Sequence, residues 1–310
     1  MNNKSIYWQR VKAYFSVFDV SLSLLIFLII SVGLVTMYSA GLDFPGRLQH
    51  HIRNLIVAFF AMWIIANIPP QILMRFAVPL YVAGILLLIA VAVFGSVKNG
   101  SRRWLNIGVV IQPSEILKIA TPLMLAWYFQ IREGSLRWKD FIVAAIILGM
   151  PLALILRQPD LGTALLLGFV GFSVIFFAGL SWRVLAGLVV AVVAFVPLYW
   201  PYMHEYQRDR VRIMFDPTVD ALGRGFHTIQ SMIAVGSGGL TGKGWQQGTQ
   251  SHLEFIPEHT TDFISAVYFE EFGLLGACIL MALYVLIIVR GLIISANAPT
   301  LFARLMAGAM

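Results

Sequence analysis

Eight apolar runs, each about as long as a bilayer is thick, set the limits on what this chain can fold into. They fall at roughly 18–40, 52–69, 74–95, 113–131, 140–157, 160–180, 183–200 and 263–289. A helix needs roughly 20 residues, at the least about 17, to cross the hydrocarbon. Backbone groups in hydrocarbon must bond to one another, so such runs are read as helices. The two-residue alternation of a membrane barrel is absent. The predicted fold class is therefore all-α, a polytopic transmembrane helix bundle forming a single integral membrane domain over residues 1–310. Composition agrees. Of 310 residues, 59% are hydrophobic and only 12% charged, about half the share found in ordinary soluble domains. A water-soluble enzyme and a disordered chain are both excluded. The single cysteine, Cys278, forbids an internal disulfide, and no Cys/His cluster has zinc spacing.

The first run is too long for a secretory signal and reads as a signal anchor, with Ser39-Ala40 a weak cleavage candidate. Leu301–Met310 resembles the start of a further span, so the expectation is that C-terminal helices are missing from this chain. The distribution of Lys and Arg favours the N terminus inside. Lys4, Arg10, Lys12, Arg75, Arg132, Arg137, Lys139, Arg183, Arg290 and Arg304 lie on that side, against the smaller group Arg47, Arg53, Lys98, Arg102, Arg103 and Arg157 opposite. With this orientation the polar, Gly-rich loops 96–112 and 201–262 both lie outside. The formal charge of +7 suggests anionic partners, with lipid ahead of nucleic acid in so apolar a chain.

Five constellations carry candidate chemistry. In Gly100-Ser101-Arg102-Arg103-Trp104 the arginines and Trp104 are either interfacial anchors or part of a polar wall. In Gln112-Pro113-Ser114-Glu115 with Lys118, the charges stand three apart on one helix face. They either neutralise each other for packing or line a polar cleft, because intramembrane charges normally face a cavity or a partner. In Arg157-Gln158-Pro159-Asp160, Asp160 is a natural N-cap, with ligand contact through Arg157 as the alternative. Tyr206-Gln207-Arg208-Asp209-Arg210-Val211-Arg212 is either a solvated helix with Arg–Asp pairs or a pyrophosphate grip. Gly236 to Trp245 fails as a P-loop, because Ser237 stands at the first required glycine and Gly244 follows Lys243. It is left as a flexible turn or as backbone N–H groups offered to an anion beside Lys243.

The fifth constellation is His252 to Phe263. Asp262 precedes the last complete span, either as an N-cap or as a carboxylate at the lipid–water boundary, where desolvation favours a base. No metal site is committed to. Glu258, His259 and Asp262 are the residues that would hold a divalent cation, Mg2+ or Mn2+, were one used.

Taken together and in order, these motifs resemble the SEDS family (shape, elongation, division and sporulation) over essentially the whole chain. The resemblance rests on Gly100–Trp104, Gln112–Glu115 with Lys118, Gln158–Thr163, Tyr206-Gln207-Arg208 with Arg210, Asp216-Pro217, Gly236–Trp245, Pro257-Glu258 and Thr261-Asp262-Phe263. The family has ten spans and a late Pro/Ser-Gly-Gly-Ser motif, and this chain stops before them. The resemblance implies a peptidoglycan glycosyltransferase of the bacterial cytoplasmic membrane. Its substrate would be lipid II, its partner a class B penicillin-binding protein transpeptidase, and its role cell elongation and rod shape. The family's catalytic aspartate falls on Asp262. An α-linked diphosphate donor and a β-1,4 product imply inversion by single displacement. Asp262 is then the general base. Arg102, Lys118, Arg210 and Lys243 are candidates for the diphosphate, Glu115 for orienting Lys118, and Trp104 and Glu258 for further substrate contacts. The competing readings are a lipid II flippase or transporter and a non-catalytic scaffold of the elongation complex. Against transport, no inverted repeat is visible and charge is concentrated on one side.

Overall fold

The computed structural model describes residues 17–309 except 43, 45, 99–100, 107, 109, 159, 204, 222, 224 and 250–259. All eight apolar runs are helices: α1 (Val20–Ala40), α2 (Arg47–Ala66), α3 (Pro70–Phe94), α4 (Pro113–Ile131), α5 (Trp138–Leu156), α6 (Leu161–Phe177), α7 (Trp182–Tyr199) and α10 (Ile264–Ala296). Two shorter helices, α8 (Glu205–Phe215) and α9 (Phe226–Ser237), lie in the long polar loop, and α11 (Leu301–Ala309) follows α10. Among the described residues, six candidate spans meet the length and hydropathy needed to cross a membrane. Of the other two, α6 is only 17 residues long, and α4 carries Glu115, Lys118 and Gln130. The polar side chains of α4 are tolerated because this helix is the most enclosed, packing against α3, α5, α6 and α11.

The polar, Gly-rich loop 96–112 carries strands that the apolar pattern gave no reason to expect. It holds a three-stranded antiparallel sheet in the order β1 (Ser96–Lys98), β2 (Ser101–Asn106), β3 (Val110–Ile111). Its register pairs Lys98 with Ser101 and Leu105 with Ile111.

Two compact units are present. One comprises Val192–Arg290 with the chain up to Asn67, and the other Ile68–Ala191 with Gly291–Met310. The core of the second unit is built on Phe129, Leu125, Leu148, Val174, Phe302 and Leu305, all buried. Small residues bring its helices close, as is usual where lipid supplies no hydrophobic drive between them. A Cβ on Gly84 would stand 2.8 Å from Leu117, and one on Gly171 2.4 Å from Leu148. Helix α11 is held by the same core and by Gln130, whose Oε1 accepts the Phe302 N–H at 2.8 Å. In the first unit, Arg290 closes a two-pronged bond on Asp19, the N-cap of α1, at 3.0 and 2.6 Å.

Candidate functional site

In the second unit the polar residues gather around Asp160. Its Oδ1 accepts the Thr163 N–H at 3.2 Å and so caps α6. Its Oδ2 lies 3.6 Å from the Arg103 guanidinium on β2 and 3.5 Å from Gln112 Nε2 at the start of α4. One buried carboxylate thus ties a strand and two helix N-termini together. The neighbouring Gln158 is buried and donates to the Leu88 carbonyl at 3.5 Å. One turn along α4, Lys118 Nζ and Glu115 Oε2 form an ion pair at 2.7 Å, with both side chains partly open to surroundings. Trp104 is half-buried on β2, and Arg157 is exposed at the end of α5.

In the first unit the decisive feature is a break in α10. Gly273 has φ 61° and ψ −157°, a conformation open in practice only to glycine. An unbroken helix would pair the Glu270 and Glu271 carbonyls with the N–H groups of Leu274 and Leu275. Here Lys243 and Gly244 donate to those carbonyls, each at 3.0 Å, while Leu274 and Leu275 donate to Gly239 and Leu240, each at 3.0 Å. The Gly-rich segment is therefore a backbone cradle that replaces the missing helical bonds. Helix breaks at membrane depth survive only where protein supplies the lost partners. Closeness explains the glycines: a Cβ on Gly242 would lie 2.0 Å from the Glu271 carbonyl oxygen.

The break carries two buried carboxylates. Glu270 Oε1 accepts from Lys243 Nζ at 2.7 Å, from the Thr249 N–H at 2.8 Å and from the Thr249 hydroxyl at 3.2 Å. Lys243 also donates to Thr249 Oγ1 at 2.7 Å. Glu271 Oε1 accepts from the Ser39 hydroxyl on α1 and from the Gln246 N–H at 3.1 Å. Trp245 continues the attachment to α1, donating to the Val35 carbonyl at 3.3 Å and resting against Tyr38.

Asp262 stands exposed in the turn Thr260–Phe263 that leads into α10. Phe263 packs towards Ala234 and Ala266 and faces the His227 ring of α9 at 6.1 Å between centroids. On α8, Arg212 pairs with Asp209 at 3.6 Å, and both line a cavity of about 400 Å³ with Val219 and Asp220. Beyond α8, Asp216 accepts from the Thr218 hydroxyl and N–H, and these bonds hold its carboxyl below the usual range.

Residues 15–310 match the family model for FtsW/RodA/SpoVE cell cycle proteins. The chain belongs to that family. Among the family's curated members, it is 45% identical to the peptidoglycan glycosyltransferase MrdB of Escherichia coli K12 over 99% of this chain and 82% of the relative. It is 30% identical to the peptidoglycan glycosyltransferase RodA of Treponema pallidum over 94% of this chain and 85% of the relative. Among solved structures, a chain from a study of polymerization and crosslinking by a peptidoglycan synthase complex aligns with TM-score 0.76 and 33% identity, over 94% of this chain and 82% of that one. The Thermus thermophilus rod shape determining protein RodA aligns at TM-score 0.65 and 28% identity, over 94% and 81%.

Within this FtsW/RodA/SpoVE fold the candidate residues named from sequence divide into three groups. Glu115, Lys118, Trp104 and Asp262 have described positions, each open enough to meet a ligand. Arg102 lies on β2 and Arg210 on α8, but their side chains, like all of Glu258 and His259, fall outside the described residues. Lys243 is bound by Glu270 and Thr249, so the Gly-rich segment is neither a loose turn nor an open anion nest. Its Gln246 and Thr249 N–H groups do meet anions, and those anions are the chain's own carboxylates. Among the described residues, no group of three or more His, Cys, Asp or Glu stands together as a metal site. Sequence reading missed Arg103 as the partner of Asp160, and it missed Glu270 and Glu271 entirely. The signal for the latter was two adjacent acids inside a predicted span, three and two residues before Gly273.

Proposed function

We infer that this chain is a peptidoglycan glycosyltransferase, and we propose that it polymerises lipid II into β-1,4-linked glycan strands for cell elongation. The near full-length relatedness to the E. coli glycosyltransferase MrdB carries the inference. The proposed step is one in-line displacement. The acceptor 4-OH oxygen attacks the anomeric carbon of the donor sugar, the bond to the diphosphate oxygen breaks, and its electron pair leaves with the diphosphate. Asp262 takes the hydroxyl proton. Its exposure at the head of α10 supports that role, since a base must reach the proton it removes. Arg102, Lys118 and Arg210 are proposed for the diphosphate, where negative charge grows as the bond breaks. Glu115 orients Lys118, an assignment supported by their 2.7 Å pair. Mg2+ or Mn2+ remains a candidate for sharing the diphosphate's charge. The proposed partner is a class B penicillin-binding protein transpeptidase, in keeping with the synthase complex among the structural relatives.

The test is polymer formation from lipid II by the purified full-length protein with its transpeptidase partner. Asp262→Asn lowers the rate by about 10²-fold or more, the usual worth of a positioned base, and leaves expression and thermal stability close to wild type. Equal polymer yields from the two proteins would remove Asp262 as the base.

A further inference from the structure

We propose that Glu270 is a positioning residue for polymerisation. From within the break of α10, its carboxylate fixes Lys243 and Thr249, and with them the outer segment from Gly236 to Thr249. The proposal rests on the glycosyltransferase reading above and changes one assignment within it: Lys243 serves Glu270 rather than the diphosphate.

Three observations carry it. Glu270 is fully buried in a helix whose remainder is almost wholly apolar, a location where an ionisable side chain is costly and normally has a function and a partner. One of its oxygens gathers three donors from one short stretch of chain: the Lys243 ammonium, the Thr249 N–H and the Thr249 hydroxyl. The same stretch is also locked to the same helix through backbone, because Lys243 and Gly244 donate to the Glu270 and Glu271 carbonyls. Side chain and main chain thus fix the segment to α10, the helix that Asp262 precedes. The Lys243 ammonium is held by Glu270 and Thr249 at 2.7 Å each. A lysine recruited to a departing diphosphate would have to leave a buried carboxylate behind, which strongly disfavours the exchange.

The two roles for Lys243 separate at Glu270. A cation on the departing diphosphate and a group that holds the reacting geometry both show their loss in kcat, because the diphosphate's charge grows only as the bond breaks. Neutralising Glu270 frees a lysine that serves the diphosphate and leaves kcat unchanged or higher, whereas it lowers kcat where Glu270 and Lys243 hold the segment together. In full-length protein with its partner and lipid II, Glu270→Gln and Lys243→Gln each lower kcat by up to about 10²-fold, the scale of a 1 Å misplacement, with KM for lipid II nearly unchanged. The double variant is no slower than the worse single variant, because the two side chains act as one unit. A second readout needs no activity. Acylation of Lys243 by an amine-reactive reagent, followed by mass spectrometry, is slow in wild type and faster in Glu270→Gln. Wild type that makes no polymer while Lys243 stays protected would overturn the glycosyltransferase reading and leave the hold of Glu270 intact. Glu270→Gln with wild-type kcat overturns the positioning role, and so does Lys243→Gln that raises KM with kcat unchanged. Should Glu270→Gln not fold, Glu270→Asp, which keeps the charge and withdraws the acceptor by one methylene, must show the same fall in kcat, and wild-type kcat there overturns the proposal equally.

Discussion

Arg290 grips Asp19 with two donors, and the consequence for pH can be read from the carboxylate. The Arg290 bond, followed by the Leu22 N–H, lowers the Asp19 pKa from 3.8 to about 2. A carboxyl depressed in the folded state stabilises the fold above its unfolded pKa, and the contribution disappears as pH falls through the folded value. Wild type and Asp19→Asn should therefore differ in thermal stability at pH 6. That difference should shrink between about pH 4 and pH 2, as read from melting curves of the detergent-solubilised protein. A difference that stays constant across that range would show that the pair contributes through packing alone. Other residues were legible from sequence because their partners are local. Asp160 caps α6, Glu115 meets Lys118 three residues away, and Asp209 meets Arg212 at the same spacing. Arg103 reaching Asp160, or Ser39 reaching Glu271, joins positions far apart in the chain, and no spacing rule pairs them.

At the scale of elements, helices emerge readily from long apolar runs because hydrocarbon offers the backbone no other partner. The same rule hides departures from a straight helix. The run 263–289 reads as one uninterrupted span, yet α10 is broken at Gly273, since the bonds it loses there are returned by a segment some 30 residues earlier. The sheet of 96–111 had a visible signal in Asn99-Gly100, a dipeptide favoured between hairpin strands, that went unread beside the stronger membrane pattern. The cradle predicts a contrast between two nearby glycines. Gly242 has φ 81°, and an added Cβ meets main chain that cannot step aside. Gly242→Ala should thus cost about 2–4 kcal/mol, in the range of severe steric substitutions. Gly236 lies within α9 with nothing within 4 Å of an added Cβ, so Gly236→Ala should be neutral or stabilising by up to about 1 kcal/mol. Thermal melts of the two variants in one detergent check the pair, and equal melting temperatures would show that the cradle is not rigid.

For the whole molecule, the chemistry depends on which side of the membrane each loop occupies. The proposed polymerisation of lipid II takes place outside the cytoplasm, so the proposal requires the turn carrying Asp262 to lie there. The bias of Lys and Arg supports this, because the connection between α4 and α5 carries Arg132, Arg137 and Lys139, and short cytoplasmic loops collect such residues. Crossing helices alternate in direction, so the α4–α5 connection and the stretch after α7 should lie on opposite sides if α5, α6 and α7 each cross once. The sole cysteine, Cys278, is exposed on α10 and can be replaced by alanine to give a clean background. In that background, Ser135→Cys, at an exposed position of the α4–α5 connection, should resist a membrane-impermeant maleimide in intact spheroplasts and react after lysis, whereas Tyr202→Cys should react in both. Reaction of Ser135→Cys in intact cells, with Tyr202→Cys protected, would invert the topology. The Asp262 turn would then face the cytoplasm, and the polymerase reading would fail however well the residues matched.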